Sequence, residues 1–511
     1  MNKYFLTIDN GGTNTKAVIF DTDGKQVSKS SFPTMRIEEK SGFHEIDLNE
    51  LWAAIGCAIK KTISIAGIES KQIIGVSCVG HGKGLYVLDR NKHIFMHGIL
   101  STDSRAIEIA RRFEKQVDTI FPISHQHVME SQSPVLLNWL KKNQPQNYDQ
   151  IGFVLAAKDF VRFKLTGNVF QEYGDASGNN FINLDKKNYD QRLFDFFEIS
   201  EIYHKMPELK KFSDLCGYIT SESSQETGLT IGTPVFGGLF DIDACSLATG
   251  VLNNDFFSII AGTWNINVFP STKIAPATSG LMNSLYPTGD FLVESSSATS
   301  AGNLSITINN LLDEETKNAQ SHGKSIYDVL EEFLSHTGAD FSKVIFFPFL
   351  YGSNVDPNAE GAYIGVQSDT SKSAMIRSVY EGIIFAHKYH ISKLIETSGC
   401  KPKAIRLSGG GTNSSSWVQM FANVLEIPVE TVTDSELGGL GGAIASSIGT
   451  NYYANIDQAV SHMVHLKDKF LPDNQQSVIY RQKYEVYLKL LTALDGSWSS
   501  LKNMQRRISQ S

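Results

Sequence analysis

Apolar and polar positions along the first ninety residues change period several times, and each change marks an element. Residues 4–8 form a short apolar run rich in β-formers, broken by Asp9-Asn10-Gly11-Gly12-Thr13-Asn14 and resumed over 16–20. Asp21-Thr22-Asp23-Gly24 then turns the chain into a third strand, so the pattern predicts a β-meander. A dinucleotide-binding domain would open on strand, loop and helix instead. Past the meander the period lengthens. Leu51, Ala54, Ile55, Ala58 and Ile59 recur at steps of three and four, behind Asp47 and Glu50 at capping-box spacing, which predicts a helix with one apolar face. Residues 73–77 read as a buried strand that ends in Gly80-His81-Gly82-Lys83-Gly84, and residues 85–89 as another. Strands alternating with helices predict a layered α/β domain.

The second half repeats the theme. Residues 256–260 read as a strand, Ala261-Gly262-Thr263-Trp264-Asn265 as a small-residue turn and 266–269 as the returning strand. A duplicated two-domain fold leaves such a repeat, and so do two hairpins that resemble each other by chance. Length favours two domains, because single cores stop growing beyond about 250–300 residues and this chain has 511. The boundary is placed near Gly250, giving domains 1–248 and 249–511. The polar, basic tail after Trp498 reads as peripheral.

Composition narrows the partners. A net charge of −8, thinly spread, offers no footprint for nucleic acid or an anionic membrane. Five scattered cysteines without a C-x-x-C pair argue against a disulfide framework or structural zinc. The chain runs from Met1 almost directly into a strand without a signal-peptide pattern, and no apolar run reaches the ~18 residues of a membrane span. A cytoplasmic location is the expectation.

Two loops have the chemistry to hold phosphate. In Asp9-Asn10-Gly11-Gly12-Thr13-Asn14-Thr15-Lys16 the glycines allow close backbone approach, their N–H groups can line an anion, and Asp9 can hold Mg²⁺ through water. A plain hairpin turn reads the same way. Leu407-Ser408-Gly409-Gly410-Gly411-Thr412-Asn413-Ser414 lies between a strand starting near Ala404 and a helix with Trp417, Met420, Phe421 and Val424 on its apolar face. That triple glycine suits a ligand lying against a helix N-terminus, or simply a tight connection. The Walker-like His322-Gly323-Lys324-Ser325 fails, because Asn318 stands where the first glycine belongs. Gly438-Gly439-Leu440-Gly441-Gly442 reads as close packing at a helix start.

Taken in order, these segments resemble the FGGY carbohydrate kinases from Ile8 to about Tyr452. The resemblance also rests on Gly98-Ile99-Leu100-Ser101-Thr102-Asp103-Ser104-Arg105, Ala157-Lys158-Asp159-Phe160-Val161-Arg162, Gly174-Asp175-Ala176-Ser177-Gly178, Gly237-Gly238-Leu239-Phe240-Asp241, Gly262-Thr263-Trp264, Glu360-Gly361-Ala362-Tyr363 and Tyr380-Glu381-Gly382. Within the family, Gly82-Lys83-Gly84-Leu85 and Phe347-Pro348-Phe349-Leu350-Tyr351-Gly352-Ser353-Asn354 are similar to the L-xylulose kinases. The Gln-Met-His-Gly segment near position 81 and the Trp at position 101 that are typical of D-xylulose kinases are missing.

The resemblance implies two ribonuclease H-like (actin/hexokinase-type) α/β domains with a cleft between them. The implied activity is transfer of the γ-phosphoryl group of ATP to a ketopentose, L-xylulose giving L-xylulose 5-phosphate. It implies Asp241 as the base that accepts the sugar proton late, as the O–P bond forms. Asp243 is a rival base, or a first-turn helix acid. Asp9 would position Mg²⁺, with Gly11, Gly12, Thr13 and Asn14 on the phosphate side. Gly262 and Thr263 would meet the γ-phosphate, and Gly410, Gly411 and Ser414 would lie under the adenosine. His81, Lys83, Asp103, Arg105 and Asp241 are the candidates for holding the sugar. Arg105 reads equally as a structural ion-pair partner of Asp103, and Lys83 as a solvated lysine. Phosphate loops drawn from both halves imply domain closure around both substrates. A homodimer is the assembly the resemblance allows. Another ketopentose, a polyol such as erythritol, a sugar acid held by Lys83, or a non-catalytic sugar sensor on the same fold remain the alternatives.

Overall fold

The computed structural model describes residues 2–12, 14–353 and 355–509. Met1, Thr13 and Asn354, each used in the reading above, lie outside the described residues. Two compact units divide the chain. The first holds residues 1–252, 270–293 and 436–465, and the second 253–269, 294–435 and 466–511.

The first unit opens with the meander expected from the apolar pattern: β1 (Tyr4–Asn10), β2 (Asn14–Asp21) and β3 (Gln26–Pro33), paired antiparallel in sequence. Helix α1 (Leu48–Ala66) starts where the capping spacing places it, and the Asp47 carboxylate accepts from the Asn49 and Glu50 N–H groups. Strand β4 (Ile73–Gly80) then pairs parallel to β1. After a long excursion that includes helix α2 (Ala157–Thr166), the sheet is extended by β5 (Leu215–Tyr218) and β6 (Pro234–Phe236). The order is β5-β6-β4-β1-β2-β3, with short β7 (Leu239–Phe240) also pairing to β4. Helix α3 (Asp241–Ala248) follows β7 without an intervening residue.

Register decides where chemistry can occur. Asn10 pairs with Gly80, and Gly80 with Phe240, so β1, β4 and β7 end abreast. Ligands of open α/β sheets bind outside such carboxyl ends. The turn into β7 requires glycine. Gly238 has φ +82, and a Cβ there would meet the Cys78 carbonyl oxygen at 2.0 Å.

The second unit repeats the plan. Strands β8 (Phe256–Ala261) and β9 (Asn265–Ser271) form an antiparallel hairpin. The helices α4 (Ala301–Leu311), α5 (Ile326–Ser335) and α6 (Lys372–Ser398) follow. Strand β10 (Ala404–Ser408) pairs parallel to β8. After α7 (Ser415–Leu425), β11 (Val429–Val432) pairs parallel to β10. Strand β12 (Leu466–Phe470) closes antiparallel on β11. Each unit is thus an antiparallel hairpin continued by parallel strands, the ribonuclease H-like α/β arrangement, and the repeat seen in the sequence is a repeat of folds.

The glycine-rich run belongs to helix α8 (Leu437–Gly449), which packs in the first unit. A Cβ on Gly442 would meet the Thr7 side chain at 2.3 Å, and one on Gly441 would meet the Ala244 carbonyl oxygen at 2.5 Å. The Thr7 hydroxyl donates to the Gly439 carbonyl at 2.7 Å. The tail after Trp498 runs on as the end of α9 (Asn474–Ser509), its described side chains exposed or half-buried as expected, with the Lys502 ammonium 3.0 Å from Glu360.

A Gly→Ala change inside a helix ordinarily stabilises by about 1 kcal/mol. Gly441→Ala should do the reverse, lowering stability by about 1–3 kcal/mol, because its methyl meets backbone that cannot rotate away. The urea midpoint of the variant against wild type checks this.

Candidate active site

At the rim of the first unit's sheet, Asp9 is the penultimate residue of β1 and Asp241 the first residue of α3. Both side chains are partly buried. Withdrawal from water pushes the Asp9 carboxyl up to about 6, against the pull of the Lys16 ammonium. Asp241 is pushed up to about 8, first by burial and then by repulsion from Asp9 and Asp175. Lys16 is diverted from this pair, because its ammonium bonds Glu436 at 2.8 Å, and Lys29 meets the same carboxylate at 2.9 Å. A Cβ on Gly438 would lie 2.8 Å from an Asp9 carboxylate oxygen, so the start of α8 forms the wall behind Asp9.

The turn after Asp9 is closed by the Gly11 N–H donating to the Asn14 carbonyl at 3.0 Å, and Thr34 donates to the Gly11 carbonyl at 3.1 Å. A Cβ on Gly12 would meet nothing within 4 Å, so that face of the turn is open to a ligand.

The sugar-side candidates divide. Lys83, in left-handed backbone at φ +62, feels the Asp241 carboxylate electrostatically. The loop carrying it packs against the residue before Asp241, since a Cβ on Gly82 would meet the Phe240 ring at 2.2 Å. His81 is buried, with its ring nitrogens 3.2 Å from the Gly82 carbonyl and 3.0 Å from the Tyr86 hydroxyl. Burial pulls its pKa down to about 4, so it is a neutral imidazole at pH 7. Asp103 and Arg105 hold each other. The Arg105 guanidinium reaches Asp103 at 2.8 and 2.9 Å and Glu45 at 2.7 Å, and it stacks 4.3 Å from the Phe43 ring centre. Asp103 also accepts from the His44 N–H at 2.7 Å.

Beneath the rim lies a buried ionic cluster that sequence reasoning missed. The Lys158 ammonium meets Asp175 at 2.9 Å, Asp159 at 3.2 Å and Glu172 at 3.6 Å, while Arg162 meets Asp159 at 2.9 Å. Arg162 also donates to the Gly237 carbonyl, which ties the cluster to the turn before Asp241. Asp243 adjoins it. It is fully buried, neither carboxyl oxygen has a hydrogen-bond partner among the described residues, and burial beside Glu172 and Asp175 holds its pKa well above the usual range. Asp243 lies in the first turn of α3, where the sequence placed it, but its side chain is buried rather than displayed to solvent. The signal in the sequence was the Lys-Asp-x-x-Arg spacing on α2, one turn of which carries both cations.

In the second unit a cavity of about 670 Å³ is lined by Gly262, Thr263, Tyr327, Glu331, Tyr380, Gly410, Asn413, Ser414 and Trp417, among others. Its size and mixed aromatic and polar lining suit a nucleoside. Added Cβ atoms on Gly262 and Gly410 would meet nothing within 4 Å. Gly411 instead packs inward, where a Cβ would lie 3.3 Å from Ala261 and from Trp417. The Ser414 hydroxyl accepts from the Trp417 N–H at 3.1 Å and donates to Glu331. Ser325, the end of the Walker-like run, caps α5 by accepting from the Asp328 N–H at 3.2 Å. Asn14 is exposed at the start of β2.

Among the described residues no three His, Cys, Asp or Glu side chains gather as metal ligands. Asp9 and Asp241 nonetheless fit a divalent cation that keeps most of its waters, since burial raises both carboxyls and Asp9 repels Asp241, a cost that a cation would offset. Among the described residues no helix is long and apolar enough to cross a membrane.

Residues 4–248 match the N-terminal domain of the FGGY family of carbohydrate kinases, and residues 257–449 match its C-terminal domain. The L-xylulose/3-keto-L-gulonate kinase of Escherichia coli (strain K12) is 31% identical over 506 residues, covering 98% of this chain and 99% of its own. The probable L-xylulose kinase of Haemophilus influenzae is 31% identical over 96% of this chain and 99% of its own. In structure, the chain is similar to a ligand-bound xylulose kinase from Lactobacillus acidophilus, with TM-score 0.88 at 22% identity and coverage of 98% and 100%. A Plasmodium falciparum glycerol kinase with ADP gives TM-score 0.83 at 17% identity, over 96% and 98%.

The Asp241 carboxyl, raised to about 8, favours the fold fully only below the ordinary carboxylate value of 3.8, and that contribution is lost as pH rises through about 8. Asparagine never ionises. Ligand-free Asp241→Asn should therefore melt progressively higher than wild type as pH is raised from 4 to 9. Thermal unfolding across that range checks the sign.

Proposed function

Because the chain belongs to the FGGY family of carbohydrate kinases, we propose that it transfers the γ-phosphoryl group of ATP to a terminal hydroxyl of a ketopentose, with L-xylulose as substrate and L-xylulose 5-phosphate as product. The observation that carries this reading is Asp241 at the rim where β1, β4 and β7 end, with its pKa raised to about 8. The names of two relatives at 31% identity support the choice of sugar.

Phosphoryl transfer asks little covalent chemistry of a protein, so positioning and charge neutralisation supply most of the rate. Asp241 accepts the proton of the attacking hydroxyl as the O–P bond forms. A pKa near the working pH makes it a better acceptor than an ordinary carboxylate, provided that it is ionised when the sugar arrives. Asp9 would hold a divalent cation, whose positive charge would favour the ionised form of both carboxylates. Gly11, Gly12, Thr13 and Asn14 line the phosphates from the domain 1–248. Gly262 and Thr263 meet the γ-phosphate from the domain 249–511, where Gly410 and Ser414 lie beside the adenosine and Gly411, expected there from the sequence, packs behind them against Ala261 and Trp417. Lys83 faces the sugar. His81, Asp103 and Arg105 shape the sugar pocket through the bonds they already make, with His81 orienting the Lys83 loop.

Coupled measurement of ADP release with Mg-ATP tests the reading on L-xylulose, D-xylulose, L- and D-ribulose, glycerol, erythritol and a keto-sugar acid. Turnover should peak on L-xylulose and fall about 10²–10⁴-fold in Asp241→Asn. A peak on another ketose or on the acid would overturn the choice of sugar and leave the kinase. No sugar-stimulated turnover, with ATP still bound, would overturn both.

A further inference from the structure

The polar interior of the second unit is concentrated in one place. His387 on α6 is fully buried, as are Asn265, Asn267 and Ser300, and Thr299 is nearly so. The two ring nitrogens of His387 feed two separate arms. On one side Nδ1 lies 2.9 Å from the Asn267 side-chain oxygen, and the Asn267 amide donates to the Asn265 side-chain oxygen at 2.6 Å and to the Ser295 carbonyl at 3.0 Å. Asn265 is the first residue after the Gly262-Thr263-Trp264 turn. On the other side Nε2 lies 3.0 Å from the Ser300 hydroxyl, and the next residue, Ala301, donates its N–H to the Gly262 carbonyl at 2.9 Å. One imidazole therefore reaches the exit of the turn through Asn267 and its entry through Ser300.

Hydrogen bonding fixes the proton. The Asn267 amide is donating twice, so its oxygen accepts from His387 Nδ1–H, and Nε2 accepts from Ser300. Further bonds stiffen the arms. Asn265 donates to Thr299 at 3.2 Å, the Thr299 and Ser297 hydroxyls meet at 2.7 Å, and Ser297 and Ser295 lie 2.8 and 2.7 Å from the ring nitrogens of His390, one turn farther along α6. The tip of the turn is otherwise bare: Thr263 and Trp264 are exposed.

A core held only for stability gains nothing by burying two imidazoles, two amides and four hydroxyls where apolar side chains would pack as well. What such a network adds is a single geometry, because each member has one satisfying arrangement. We infer that His387 is a positioning residue for phosphoryl transfer, clasping the Gly262–Thr263 turn at both ends through Asn267–Asn265 and Ser300–Ala301 so that it meets the terminal phosphate of the nucleotide in one fixed pose. This rests on the reading of Gly262 and Thr263 as γ-phosphate contacts. An ångström of slack at such a contact costs rate rather than nucleoside affinity.

The test compares His387→Phe, Ser300→Ala and Thr263→Ala with wild type, using kcat and KM for ATP and sugar, calorimetric affinity for ADP, and thermal unfolding. His387→Phe keeps a ring of similar size and removes both nitrogens. Its kcat should fall about tenfold or more, with ADP affinity and sugar KM within about twofold of wild type. Ser300→Ala, which opens one arm only, should show a smaller loss of the same kind, and it carries the test should His387→Phe not fold. If Thr263→Ala lowers kcat but the other two do not, or if they lower only the melting temperature, the inference is overturned and the phosphate reading stands. If Thr263→Ala also leaves kcat unchanged, the phosphate reading is overturned and the inference falls with it.

Discussion

Asp9 and Asp241 stand partly buried at the ends of β-strands that lie one strand apart; burial raises both carboxyls, and the charge on Asp9 raises Asp241 further. Three nearby cations bond other carboxylates, Lys16 to Glu436 and Lys158 and Arg162 to the cluster beneath, while Lys83 offsets part of the charge on Asp241. An arrangement of this kind is a standing electrostatic debt in the empty enzyme. In the proposed function a divalent cation would offset that cost, and Asp241 would act as the proton acceptor. Stability is lowered at the same place where charge must be handled.

The surrounding fold can be understood as what it takes to hold that rim. Gly238 allows the chain to pass over Cys78 into β7, and Arg162 grips the carbonyl of Gly237 just before it. The glycines of α8 let that helix lie directly on Thr7 and Ala244, which sets the wall behind Asp9. Burial first, and then Glu172, Asp175 and Asp241, oppose the charge of Asp243 and push its carboxyl well above the usual range. The second unit uses other means to a similar end. Its turn at Gly262–Thr263 is fixed by neutral hydrogen bonds from His387, and its cavity wall is fixed by Glu331 capping the start of α7.

The features legible in the sequence were those written locally. Both hairpins, the Asp47 cap and the strand–glycine–helix passages depend on neighbours a few residues away, and each formed where the pattern placed it. The rim itself was legible only through the ordered set of family segments, because nothing in Gly237-Gly238-Leu239-Phe240-Asp241 alone separates a base from a helix acid. Interactions across long separations were illegible. Lys158 with Asp175, Arg162 with Gly237, and His387 with Asn267 join residues 17, 75 and 120 apart. The Ser325 cap is local too, written in the Ser-x-x-Asp spacing that closes the failed Walker-like run.

Coupling between the two carboxylates is measured most directly by carbon-13 NMR titration of γ-carboxyl-labelled aspartate in the ligand-free protein, with the Asp241 resonance assigned by its loss in Asp241→Asn. The account predicts that Asp241 titrates near 8 in wild type and clearly lower in Asp9→Asn, where one repelling charge has been removed. A resonance that titrates near 4 and does not move in Asp9→Asn would contradict it.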